Sequence, residues 1–313
     1  MDKKAASHRS IIERAIDAVA SDNSSGAAEI LRRAAALFHS LASTEPGLDR
    51  HRARQLLIET CVALVRAQPR MAPLANLANR IARDSFNADE ALTTASASAA
   101  SFISEVEAAC DSATDRAARL IKEGSVVFTH SRSSTVLAAM KKARAERRSF
   151  SVIATESRPA FEGRRLAASL AGLGIKVIFL ADAAAAVELA RADFVLIGAD
   201  AITPRFLINK IGTRMIALAA REIDCPVYAL SDASKLINTD LFSAAAEDDR
   251  HDEAELWPDA PSGIATVNRY FESTPLDFFT KIITEDGLLD AAEVRKHAES
   301  WQLNSDLRDA LEV

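Results

Sequence analysis

Cysteine is scarce in this sequence: Cys61, Cys110 and Cys225 are the only three, far apart and in no metal-ligand spacing. That excludes a disulfide scaffold, gives no reason to expect a metal, and fits a reducing compartment in which all three are ordinary buried thiols. No segment holds the roughly 18 uninterrupted apolar residues of a membrane span. The opening MDKKAASHRSIIERAIDAVA is broken by charge too often for a signal peptide. An excess of positive charge is also missing. The 38 Lys+Arg against 44 Asp+Glu leave a net −6, so the chain has no overall attraction for nucleic acid or an anionic membrane. Neither Gly-x-Gly-x-x-Gly nor a Walker A loop occurs, so the dinucleotide fingerprint and the P-loop are unsupported and no cofactor is expected. What is present is 313 residues, 49% hydrophobic and 26% charged, the balance of a soluble cytoplasmic protein with one large domain or two.

The texture of the chain changes near residue 122. Before it, apolar residues recur at helical spacing: Ile11, Ile12, Ala15, Ile16 and Val19, then Ile30, Leu31, Ala34, Leu37 and Phe38, then Leu56, Leu57, Cys61, Leu64 and Val65. A fourth stretch runs from about Ala88 to Ile121, and turn chemistry at Asp22–Gly26 and Gln68–Arg70 separates the helices. Residues 1–121 therefore read as a helical domain ending in a long connecting helix; no a/d heptad persists, so a coiled coil is not supported. After Gly124 the rhythm alternates. Apolar runs at Ser125–Thr129, Phe150–Thr155, Lys176–Ala181, Phe194–Gly198 and Pro226–Leu230 are separated by helical patterns at Thr135–Arg147, Glu162–Leu173, Ala184–Ala190 and Thr213–Glu222. Strands apolar on both faces between helices specify a doubly wound parallel sheet, a Rossmann-like α/β domain over 122–313. Ser243–Gly263 reads as a solvated loop or a flap over a site, Phe278–Ile283 as a further strand, and the last 25 residues as helical.

In open parallel sheets ligands bind beyond the carboxyl ends of the strands. Those ends carry Thr129-His130-Ser131, Glu156-Ser157-Arg158, Asp182, Asp200 and Ser231-Asp232. A single acid there is often a helix cap, and Asp182 is open to that reading; so many polar ends on one edge favour a site. Arg132-Ser133-Ser134 and Asn209-Lys210-Ile211-Gly212-Thr213 each open a helix, whose free N–H groups can cradle an anion or be capped by Ser134 and by Gly212-Thr213. Two such turns with carboxylates between them point to a ligand that is both anionic and hydroxylated: a sugar phosphate or nucleotide. His130 reads as a strand-end packing or hydrogen-bonding histidine, and Glu156 with Arg158 as a local ion pair rimmed by Asp182. Trp257 and Trp301 read as packing or interface residues.

The segments Thr129-His130-Ser131, Thr155-Glu156-Ser157-Arg158-Pro159, Gly198-Ala199-Asp200-Ala201-Ile202, Ile208-Asn209-Lys210-Ile211-Gly212-Thr213, Phe271-Glu272-Ser273-Thr274-Pro275 and Ile283-Thr284-Glu285-Asp286-Gly287 resemble signatures of one family. It comprises the alpha, beta and delta subunits of initiation factor 2B and two enzyme relatives, ribose-1,5-bisphosphate isomerase and methylthioribose-1-phosphate isomerase. The resemblance implies an N-terminal helical domain, a Rossmann-like C-terminal domain, and a homodimer or higher homo-oligomer built through the latter. In the isomerases an aldose 1-phosphate is ring-opened and converted to a ketose, using a Cys after Thr-His and the Asp of Gly-Ala-Asp.

Asp200 matches that Asp, but Ser131 stands where the Cys belongs. A thiol exchanges protons near neutral pH far more readily than a hydroxyl. The helical-domain turns that supply phosphate-binding arginines in the isomerases read Ser25-Gly26-Ala27 and Gln68-Pro69 here, and Ser134 replaces a usual Lys or Arg. The loop after Asp200 is one residue shorter and lacks the enzymes' Gly; Arg70, Arg132 and Arg205 are candidates to compensate. Lys210 and Lys235 remain to hold one phosphate. The resemblance thus implies catalytic positions Asp200 and Ser131, and ligand positions Ser25, Gly26, Arg132, Ser133, Ser134, Glu156, Arg158, Asn209, Lys210 and Lys235. Three functions follow: a sugar-phosphate or nucleotide-binding protein with lost or altered isomerase chemistry, an active aldose–ketose isomerase using Asp200, or a regulatory translation-factor subunit.

Overall fold

A computed structural model describes residues 3–21, 27–238 and 250–311. The chain forms two compact units, residues 1–108 with 301–313, and residues 109–300. The first contains α1 (Lys3–Ala20), α2 (Ala27–Thr44), α3 (Arg50–Ala67), α4 (Ala72–Ser85) and most of α5 (Ala91–Leu120), with the C-terminal helix Ser305–Leu311. Asp49 caps α3 by accepting from the Arg52 amide at 3.1 Å, and α4 opens with a proline in its first turn. Phe38, Leu57, Leu64, Leu77 and Phe86 are fully buried in one core, joined by Leu307 of the C-terminal helix. Asn79 fixes the approach to that helix: its amide donates to the Gln302 carbonyl and its oxygen accepts from the Asn304 amide, both at 2.8 Å.

The second unit is a seven-stranded sheet in the order β10-β9-β7-β4-β1-β2-β3. Its strands are β1 (Val126–Thr129), β2 (Ser151–Thr155), β3 (Lys176–Leu180), β4 (Phe194–Gly198), β7 (Val227–Leu230), β9 (Lys281–Thr284) and β10 (Gly287–Leu289). The first six are parallel and β10 runs antiparallel at the edge. Alternate residues serve two cores. Val127, Val152 and Leu196 face one side with α6 (Ser134–Ala145) and α7 (Glu162–Gly172). Phe128, Ile153, Val195 and Ile197 face the other with α8 (Ala185–Leu189) and α9 (Thr213–Glu222). This double burial is why these runs read apolar throughout. β3 is the exception: it lies at the edge, with Phe179 exposed. The strand expected over Phe278–Ile283 is Lys281–Thr284, because Leu276–Phe278 forms a 3-10 turn that buries Leu276.

A second, three-stranded antiparallel sheet was not legible in the sequence: β5 (Ala201–Ile202), β6 (Phe206–Lys210) and β8 (Phe271–Pro275). Asn209 and Lys210, read as turn residues, end β6 as buried strand positions. The start of α7 presses on the tip of β2 so closely that a Cβ at Gly163 would run into the Thr155 carbonyl oxygen. Gly163→Ala must therefore push helix and strand apart, and we expect a loss of about 3 kcal/mol, read by denaturant unfolding. Gly172→Ala on the same helix, where a Cβ meets nothing within 4 Å, is the control and should be silent or slightly stabilising.

Candidate functional site

The sheet order reverses between β1 and β4: β2 and β3 lie to one side, β7 and β9 to the other. Their carboxyl ends are thus the switch point where a doubly wound sheet opens a crevice. Gly198 permits the closest approach there, since a Cβ on it would lie 2.7 Å from the Cβ of Ser133. Ser133, not Ser134, caps α6, accepting from the Val136 amide at 3.2 Å. Ser131 lies two residues before that cap and Asp200 two residues after Gly198, so both follow the tips of the neighbouring strands β1 and β4.

The loops beyond these tips are joined by a chain of clasps. His130 is 2% exposed, its Nε2 2.8 Å from the Ile211 carbonyl and its Nδ1 2.6 Å from the Thr155 hydroxyl. A carbonyl only accepts, so Nε2 carries the proton and Nδ1 accepts from Thr155. Burial holds the His130 pKa below its ordinary value, and the expected structural histidine is observed. Gly212 packs on its ring at φ +103, where a Cβ would be 3.0 Å from Nε2. Asp182 is not a helix cap. Its two carboxylate oxygens accept from the Ser157 and Arg158 amides, each at 2.7 Å, and so hold the loop after β2. Ser157 in turn accepts from the Ser131 amide at 2.8 Å. Both serines have left-handed backbone, at φ 62 and 65, strain that this network sustains.

The charged groups are inside. Lys210 is 2% exposed; its Nζ lies 2.8 Å from Glu162 Oε1 and 4.4 Å from the centre of the Tyr270 ring. Lys235, 9% exposed, sits in the turn after β7, a turn capped by Asp232 through the Ser234 amide at 3.0 Å and the Ser234 hydroxyl. Asp200 keeps part of its surface open, but its carboxyl is packed about by protein. Burial raises its pKa, Lys235 and then Lys210 oppose the rise, and Glu162 adds to it. All four groups thus share one field. Asn209 donates to the Thr213 hydroxyl at 2.9 Å, which donates to the Lys210 carbonyl at 2.7 Å, tying β6 to α9.

Other expected site residues are placed differently. Glu156 and Arg158 do not pair with each other. Glu156 lies 3.6 Å from Arg164, while Arg158 covers the Phe161 ring and donates to the Leu256 carbonyl at 3.2 Å. Arg132 and Ser134 are exposed on the rim. Ser25 and Gly26 lie outside the described residues, as does most of the first half of Ser243–Gly263. Only Cys61 is a fully buried thiol; Cys110 and Cys225 are half-buried. Cys110 donates to Asp232 at 3.4 Å, and burial followed by that carboxylate pushes its pKa up to about 12, so it is no thiolate substitute. Glu162 was missed. Its sequence signal is its place three residues beyond the Ser157-Arg158-Pro159 segment, but the helical periodicity that begins there conceals it.

A mostly parallel sheet with polar strand tips at its switch point, and a separate helical N-terminal unit, defines a Rossmann-like protein with a candidate ligand site on one sheet edge. Residues 23–291 match the Initiation factor 2 subunit family, and the chain belongs to that family. Among its relatives is a ribose 1,5-bisphosphate isomerase of Archaeoglobus fulgidus, 33% identical over 84% of this chain and 85% of that protein. A putative translation initiation factor eIF-2B subunit 2-like protein of Pyrococcus abyssi is 32% identical over 84% of this chain and 91% of its own. The solved translation initiation factor eIF-2B of Pyrococcus horikoshii superposes with a TM-score of 0.77 at 29% identity, covering 89% of this chain and 96% of that one.

Proposed function

We propose that this chain is a cytoplasmic protein that binds a phosphorylated sugar at the strand tips, with isomerase chemistry lost or altered. The observation that carries the reading is the pair of buried lysines, Lys210 and Lys235, whose charges both act on the carboxyl of Asp200. Buried cations beside an acid–base group suit an anionic, hydroxylated ligand. Ser131, held at the β1 tip with its amide engaged, offers a hydroxyl for orientation and no thiol for proton exchange. In this reading Lys235 takes the phosphate, and the N-terminus of α6, with Ser133 and the exposed Arg132, adds a favourable field at the rim. The same reading takes the assembly as a homodimer or higher homo-oligomer through the C-terminal domain. Exposed Met215 and Leu218 on α9 and Val187 on the adjoining α8 supply apolar surface for it.

The test is a thermal-shift panel of sugar phosphates and nucleoside monophosphates. A ligand at 100 times its Kd adds about 2.7 kcal/mol, a rise of about 5–11 °C for a unit of this size. No shift with any member of the panel contradicts the reading. An active aldose–ketose isomerase is the second reading, favoured by the raised pKa of Asp200. Ketose formation from ribose 1,5-bisphosphate or methylthioribose 1-phosphate separates the two.

A further inference from the structure

Glu162 does two things at once in this site. One carboxylate oxygen holds Lys210 at 2.8 Å; the other, Oε2, is buried with no hydrogen-bond partner. A carboxylate oxygen only accepts, and leaving one buried and unmet is costly, so the position calls for a donor. A phosphate dianion brings no donor, whereas a sugar hydroxyl does. The charge balance points the same way. Two carboxyl groups, of Asp200 and Glu162, stand against two lysines, Lys210 and Lys235, and burial holds the His130 pKa down beside them. Two of the arginines are engaged, Arg164 with Glu156 and the Phe161 ring and Arg158 with that ring and the Leu256 carbonyl, while Arg132 is exposed at the rim. A second phosphate seated at Lys210 would have to break its pair and lie against the carboxylate left behind, which is repulsive in a poorly solvated site.

Resting on the sugar-phosphate reading above, we infer that Glu162 sets the specificity of the site: it reserves the Lys210 end for a hydroxyl of the ligand and admits one phosphate, at Lys235, in preference to two. The ligand class is a sugar monophosphate. Calorimetric titration of the full chain with ribose 1-phosphate, ribose 5-phosphate and ribose 1,5-bisphosphate tests this, on the unaltered protein and on Glu162→Gln. The unaltered protein should bind one of the monophosphates at least about tenfold more tightly than the bisphosphate. Glu162→Gln keeps the shape, removes the repelling charge and frees Lys210, so bisphosphate affinity should rise about tenfold and the preference for the monophosphate largely disappear. Tighter binding of the bisphosphate by the unaltered protein overturns the inference, whether or not the variant folds. So does a Glu162→Gln effect of equal size on every ligand. Binding of none of the three removes the sugar-phosphate reading itself, a distinguishable failure.

Discussion

Lys210→Met is expected to lower the stability of the second unit by about 3 kcal/mol or more, a fall in Tm of about 6–12 °C for a unit of this size. Methionine preserves the stem packed beside Tyr270 and removes only the ammonium. Glu162, whose Oε2 already has no hydrogen-bond partner, then loses its Oε1 partner too and is left as an uncompensated charge. The penalty belongs to that stranded carboxylate rather than to the lost contact, so a second substitution, Glu162→Met, should restore most of the stability. Calorimetric unfolding of the two single variants and the double variant reads this directly. A Lys210→Met change below about 0.5 kcal/mol would mean that the pair behaves as an exposed one.

Asp200→Asn is expected to separate stability from chemistry. If the chain turns over an aldose phosphate, the variant should lose at least about 10²-fold in rate, the usual contribution of a positioned acid–base group. Its stability at pH 7 should instead rise. Burial raises the folded-state pKa of Asp200 above its unfolded value, so the folded protein binds the proton more tightly than the unfolded chain. The favourable contribution is complete below the unfolded carboxyl pKa and is lost as pH climbs through the raised folded value. At neutral pH Asp200 is thus a destabilising group, and asparagine relieves it. The advantage of the variant should shrink as pH falls through the folded pKa of Asp200. Unfolding curves of both proteins from pH 4 to 8 provide the check; an advantage independent of pH would detach it from this carboxyl.

Much of the scaffold is written locally. Phe194–Gly198 and Thr213–Glu222 have the same bounds in sequence and structure, because a strand feeding two cores is apolar at every position and a helix covering one core is periodic. The polar strand tips were legible for the same reason: a parallel sheet exposes one edge of carboxyl ends. The second sheet was not. β5 is two residues long, and β6 ends in Asn209 and Lys210, polar types that mark turns when read without their partners. What makes Lys210 a buried strand residue is Glu162, 48 positions away. Asp182 looked like a local cap because its two acceptors reach a loop 24 and 25 residues earlier. The expected Glu156–Arg158 pair failed through nearer competition, from Arg164 for the acid and from Phe161 and the Leu256 carbonyl for the base. Sequence reading thus reaches the edge on which the site lies, whereas the division of charge within it depends on contacts between distant segments.

The most direct measurement is a crystal structure of the protein grown with ribose 5-phosphate. The account predicts the sugar between Asp200 and Glu162 at the tips of β1 and β4, its phosphate on Lys235, and the Glu162–Lys210 pair intact. A sugar phosphate bound elsewhere on the chain, with Asp200 and Lys235 untouched, would contradict it.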